Sequence, residues 1–177
     1  TSSITCRVPK DMTVLSNGRR AGEAIDPQTG LKAVTWIQEK PHVTYLISLV
    51  AGHFRKITEK HGDLSMSFWT PPSEFAEAAN SFRETKQCME YLEKEIGVPY
   101  PWAKYDQVCV QDFNWGGMEN TSLSTLNAST LFSLETENIR SSQGLVAHEL
   151  AHQWFGDLVT CKDWSHIWLN EGFATYY

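Results

Sequence analysis

Leu64-Ser65-Met66-Ser67-Phe68-Trp69-Thr70-Pro71-Pro72-Ser73-Glu74-Phe75 is where the chain changes its hydrophobic period. Leu64, Met66 and Phe68 alternate with serines, the period of a strand with one buried face. After the two prolines the spacing becomes helical. Phe75, Ala78, Phe82, Met89, Leu92 and Ile96 share one face, Ser73 is placed to cap the helix, and Gly97 with Pro99 ends it. The chain therefore divides into a strand-rich front and a mixed second half, which makes its class α+β.

Ahead of the switch, Val43, Tyr45, Ile47 and Leu49 alternate with Thr44, Leu46 and Ser48 and read as a further strand. Asn17-Gly18 marks a turn, and Asp26-Pro27 with Gly30 marks a loop before Val34-Thr35-Trp36. These features describe an antiparallel β module. It begins in strand-like sequence, so its front is expected to be missing. Behind the switch, a short strand is expected at Val108–Val110 and a second helix from about Ser141 to Phe155, stopped by Gly156. A third helix starts near Trp164–His166 and keeps its period to Tyr177, so the chain reads as an internal fragment.

Of the 177 residues, 41% are hydrophobic and 20% charged, the profile of a chain that buries a core. The formal charge is −6 and no basic run occurs, which excludes a nucleic-acid surface of the usual kind. No apolar stretch reaches the length of a membrane span. Cys6, Cys88, Cys109 and Cys161 are widely spaced without a CxxC pair, so neither a disulfide framework nor a thiolate zinc site is expected.

His148-Glu149-Leu150-Ala151-His152 places two imidazoles four residues apart on the second predicted helix, where both can reach one ion. Zinc suits neutral imidazole and carboxylate, and a catalytic site leaves one position for water. Glu149 falls beside that water rather than on the metal and can act as general base. Asn170-Glu171-Gly172 follows eighteen residues after His152, and Glu171 can complete a three-ligand set for one Zn2+. Gly116-Gly117-Met118-Glu119-Asn120 is open to two readings. Its glycines would let another backbone approach closely, but from the residues alone an ordinary turn with a solvated glutamate is the favoured reading.

Gly116–Asn120, His148–Thr160 and Trp168–Tyr177, in that order, resemble the aminopeptidase N family of gluzincin metallopeptidases, which includes leukotriene-A hydrolases and bacterial alanyl aminopeptidases. The resemblance implies that residues 1–72 are the C-terminal part of an N-terminal β domain and residues 73–177 the first part of a thermolysin-like zinc peptidase domain. It implies His148, His152 and Glu171 as zinc ligands and Glu149 as the catalytic base. Glu119 would hold the free α-amine of a peptide substrate. Gly116, Gly117, Met118 and Asn120 would line the cleft, the first three as an edge strand pairing with the peptide. Trp115 would lie near the pocket for the substrate's first side chain or, read from the residue alone, serve as a core aromatic. Gly117 stands where many aminopeptidases carry Ala, a variant also typical of the leukotriene-A hydrolase branch. The family's tyrosine for the tetrahedral intermediate falls beyond Tyr177.

Among the remaining candidates, Asp157 or Asp163 could orient a ligand histidine. His42, His53, His61 and His166 read as surface or satisfied core residues, and the glycosylation patterns at Asn120 and Asn127 as accidental.

Overall fold

A computed structural model describes residues 1–177. Its centre is a five-stranded mixed sheet formed by β6 (Arg55–His61), β7 (Leu64–Thr70), β8 (Tyr105–Val110), β9 (Gly117–Met118) and β10 (Leu123–Asn127), in the order β6-β7-β8-β10-β9. β7, β8 and β10 run parallel, and the outer strands β6 and β9 pair antiparallel. The period switch at Pro71–Ser73 thus lies along the path of one sheet rather than between two.

Period-two alternation gives this sheet two buried faces. Tyr105 and Cys109 face a core built with Phe82, Met89, Val146 and Leu150, while Val108 and Leu123 face the β module through Leu15, Val34 and Trp36. The first core is supplied by α1 (Ala78–Phe82), α2 (Thr85–Ile96) and α3 (Gln143–Ala151). The second comes from Val8 of β1 (Ser2–Val8), Val14 and Leu15 of β2 (Thr13–Ser16) and Val34 and Trp36 of β4 (Lys32–Gln38). β4 is the middle strand of an antiparallel sheet of order β1-β4-β3 whose edge β3 (Arg19–Ile25) is exposed, and β2 pairs with β5 (Leu49–Gly52). No helix is long and apolar enough to cross a membrane.

Four local expectations give way to tertiary structure. Val43–Leu49 is not one strand: Thr44–Leu46 forms a 3-10 turn, and β5 starts only at Leu49. Asn17 takes the place of a strand partner there, donating from Nδ2 to the Leu46 carbonyl and accepting from Ser48 N–H at 2.8 Å. The first helix is broken into a 3-10 segment at Pro72–Glu77, α1 and α2, and Ser73 caps nothing. Ser81 donates back to the Glu77 carbonyl at 2.9 Å while accepting from Phe132 N–H at 3.0 Å, a side-chain competition that bends helices. Gly97 ends α2 in the left-handed conformation, as expected (φ 74°). The second helix stops at Ala151 rather than Phe155, because Gln153 and Trp154 tighten onto carbonyls three residues back and turn away. The third is a 3-10 turn at Trp164–His166 followed by α4 (Trp168–Tyr176). All four cysteines are free.

Candidate metal centre and substrate cleft

α3 is anchored by Val146, Leu150 and Ala151, each at most 1% exposed, which turns His148 and Glu149 towards a cleft. His152 is the C-cap of α3, with its imidazole buried. Its Nδ1 lies 2.9 Å from the Phe155 carbonyl, which can only accept. The proton therefore sits on Nδ1, and Nε2 presents a lone pair to the cleft. Neither candidate aspartate takes that place: Asp163 accepts from Ser165 N–H, and the buried Asp157 carboxyl makes no hydrogen bond to His152.

α4 brings Glu171 to the same point. His148 Nε2 and His152 Nε2 are 3.1 Å apart, and Glu171 Oε2 is 3.3 Å from the first and 3.4 Å from the second. A tetrahedral zinc with ligands at about 2.0–2.2 Å spaces them about 3.3–3.6 Å apart. The three donors thus outline one face of such a tetrahedron. Glu149 Oε2 is buried without a partner beside them. Burial, together with Glu119 and Glu171, pushes the Glu149 carboxyl up to about 8, and burial beside His152 lowers His148. The lining of the cleft includes three glutamates and two histidines but no lysine or arginine. This donor set calls for cations, and a divalent ion fits it.

The cleft encloses about 550 Å³. β9 forms one wall as the edge strand of the central sheet, with Gly117 opposite Leu126 and Met118 opposite Thr125. Gly117 lets the Glu149 side chain lie close against β9: a Cβ there would lie 2.2 Å from Glu149 Oε1, so an alanine would make that side chain shift. Glu119 is buried, and its donor atom clusters with those of Glu149 and His152 within 4.8 Å, which excludes the solvated-glutamate reading. Trp115 lines the cleft at 71% exposure and is not a core aromatic. Asn120 is buried and structural: it donates to the Leu46 carbonyl and accepts from Thr125 Oγ1 at 2.8 Å. His61 pairs with Glu93 at 2.6 Å, and His42 bridges Ser2 and Thr121, so both are satisfied elsewhere.

Sequence alone assigns Tyr45, Asn17 and Gln153 no role in the site, yet all three hold it. Tyr45 lines the cleft from the 3-10 turn. Asn17 donates to the Thr121 carbonyl at 2.7 Å. Gln153 is fully buried and accepts from Ser122 N–H at 2.7 Å. Gln153 carried one available signal, an amide inside the apolar run Leu150, Ala151, Trp154 and Phe155.

A sheet-backed cleft with two histidines and a glutamate at metal-ligand spacing defines a metallohydrolase type of site. Residues 80–177 match the Peptidase family M1 domain, and the chain belongs to that family. It is 36% identical over 177 residues to Probable aminopeptidase 2 of Sulfurisphaera tokodaii, covering 98% of this chain and 22% of that protein. It is 35% identical over 182 residues to Aminopeptidase M1 of Arabidopsis thaliana, covering 99% and 20%. Against Aminopeptidase N of Homo sapiens it is 34% identical over 183 residues, covering 98% and 19%. The chain spans about a fifth of the length of the curated relatives it matches.

Proposed function

We propose that this chain carries the catalytic centre of a zinc aminopeptidase that releases single residues from peptides with a free N-terminal amine. The observation that supports this most is the mutual spacing of the His148, His152 and Glu171 donor atoms, 3.1–3.4 Å, with the unpartnered Glu149 oxygen beside them. In this reading residues 73–177 begin a thermolysin-like peptidase domain and residues 1–72 close an N-terminal β domain, with β6 and β7 extending the catalytic sheet.

His148, His152 and Glu171 hold the metal, which when bound supplies Lewis acidity to the scissile carbonyl and acidifies water. Glu149 takes the proton from the attacking water and returns it to the leaving amine. The Phe155 carbonyl keeps His152 in the tautomer that faces the metal. Gly116, Gly117 and Met118 offer their free edge to the peptide backbone, an added-strand mode of binding. Glu119, in a cleft lining without lysine or arginine, receives the α-ammonium, and Trp115 borders the first side chain.

A panel of aminoacyl-arylamides offered to the full-length polypeptide carrying this chain, with and without a chelator, tests the proposal. Chelator-sensitive release from free-amine substrates is expected. Chelator-resistant hydrolysis, or none with any member of the panel in the zinc-loaded protein, would contradict it.

A further inference from the structure

Tyr45 enters the cleft from the β-rich half, outside every motif that carries the site. Its ring stands edge-on to Trp164, with centroids 5.0 Å apart, which fixes the direction of the phenol. Asn170 Nδ2 donates to the hydroxyl at 3.2 Å. The remaining hydroxyl proton then faces Glu119 Oε1 at 3.5 Å, a length typical of such contacts in ligand-free sites. Asn170, fully buried, is itself held through Oδ1 by the Cys161 N–H at 3.1 Å. A continuous polar string thus leads from the residue preceding Glu171 to the Glu119 carboxylate. Burial next to Glu119 disfavours phenolate, so Tyr45 remains a donor.

We propose that Tyr45 is a positioning residue that clamps Glu119 to Asn170 and so sets the reach between the amine-binding carboxylate and the metal cluster. The proposal rests on the reading of Glu119 as the amine anchor and adds the element that holds it in register. With Oε1 engaged by the phenol, Oε2 is left for the ammonium. Without the hydroxyl, Asn170 Nδ2 loses a partner, and Glu119 can swing towards Glu149 and His152, whose donor atoms lie within 4.8 Å of its own. The clamp therefore contributes selectivity for a free N-terminus at one fixed distance from the bond to be cut.

The test is a double-mutant cycle in the zinc-loaded full-length polypeptide, with Tyr45→Phe, Glu119→Gln and the pair assayed on an aminoacyl-arylamide and its N-acetylated analogue. Tyr45→Phe keeps the ring against Trp164 and is expected to keep one equivalent of zinc. It should lower kcat/KM for the free-amine substrate at least tenfold, mainly through KM, and shrink the preference over the acetylated analogue. In the Glu119→Gln background the same change should cost less than twofold, because the group it positions is already altered. A tenfold loss that persists in that background, a loss of zinc, or an unchanged free-amine preference would overturn the clamp. If Glu119→Gln leaves the preference intact, the amine-anchor reading falls and the clamp with it. If Glu119→Gln abolishes the preference and Tyr45→Phe does not disturb it, the clamp alone falls.

Discussion

The side-chain carbonyl of Gln153 accepts a 2.7 Å hydrogen bond from the backbone N–H of Ser122. It ties the residue after His152 to the end of the glycine-rich segment. Ser122 has φ 62°, a conformation that costs a non-glycine residue free energy unless its surroundings over-determine it. Here they do. Its hydroxyl accepts from Gly18 N–H at 2.7 Å, and its carbonyl accepts from Lys104 Nζ and Asp106 N–H. Gln153 Nε2 meanwhile sits 3.4 Å from the carbonyls of both Glu119 and Asn120. One amide thus sets the height of the proposed amine anchor relative to α3.

Gln153→Ala should therefore damage stability and binding together. It leaves Ser122 N–H buried without a partner, a cost of about 1–3 kcal/mol. A lowered unfolding midpoint with zinc retained and a raised KM for free-amine substrates is expected. An unchanged midpoint would show that Ser122 is held by its other partners alone.

The turn at Gly18 ties the β module to the same segment. Gly18 has φ 74°, and a Cβ there would lie 2.1 Å from the Ile37 carbonyl oxygen. Gly18→Ala should destabilise the protein by more than about 1 kcal/mol. Gly22→Ala is the matched control, since nothing lies within 4 Å of the added methyl. Equal unfolding midpoints for the two variants would contradict the packing described for this turn.

What the sequence disclosed and what it hid follow the range of the interactions. His148 and His152 were legible because four residues make one helical turn, and Glu171 because it lies on the next helix. β7 was legible from Leu64, Met66 and Phe68. Alternation alone places Tyr45 in a strand, because it cannot detect an asparagine that replaces a strand partner. Its contact with Asn170 spans 125 positions, and that of Asn17 with Thr121 spans 104. Polar contacts of that range leave no period. The early end of α3 was hidden for the same reason, since the turn after Ala151 is held by Gln153 reaching back to Ser122.

Glu149→Gln separates metal binding from proton transfer. Glu149 is not among the three donors spaced for the ion, so the variant should keep one equivalent of zinc. Turnover should fall by about 10²–10⁴-fold, the usual worth of a positioned general base. Near-normal turnover would assign the proton to another group.

Glu119→Ala separates exopeptidase from general protease. Removing one partner of a buried ion pair costs about 2–5 kcal/mol. The variant should keep its zinc while losing tens- to thousands-fold in kcat/KM on free-amine substrates, along with most of its preference over N-acetylated analogues. An equal fall on both substrate types would mean that N-terminal selectivity comes from elsewhere in the polypeptide.

The most direct test of the metal centre is zinc stoichiometry by elemental analysis, comparing the purified full-length polypeptide with its His152→Ala variant. His152 Nε2 lies within 3.4 Å of both other donors, so its loss opens the face they form. The unaltered protein should hold one equivalent that a chelator removes together with activity, and the variant should hold none and hydrolyse nothing. A His152→Ala protein that still carries one equivalent of zinc would contradict the assignment of the site.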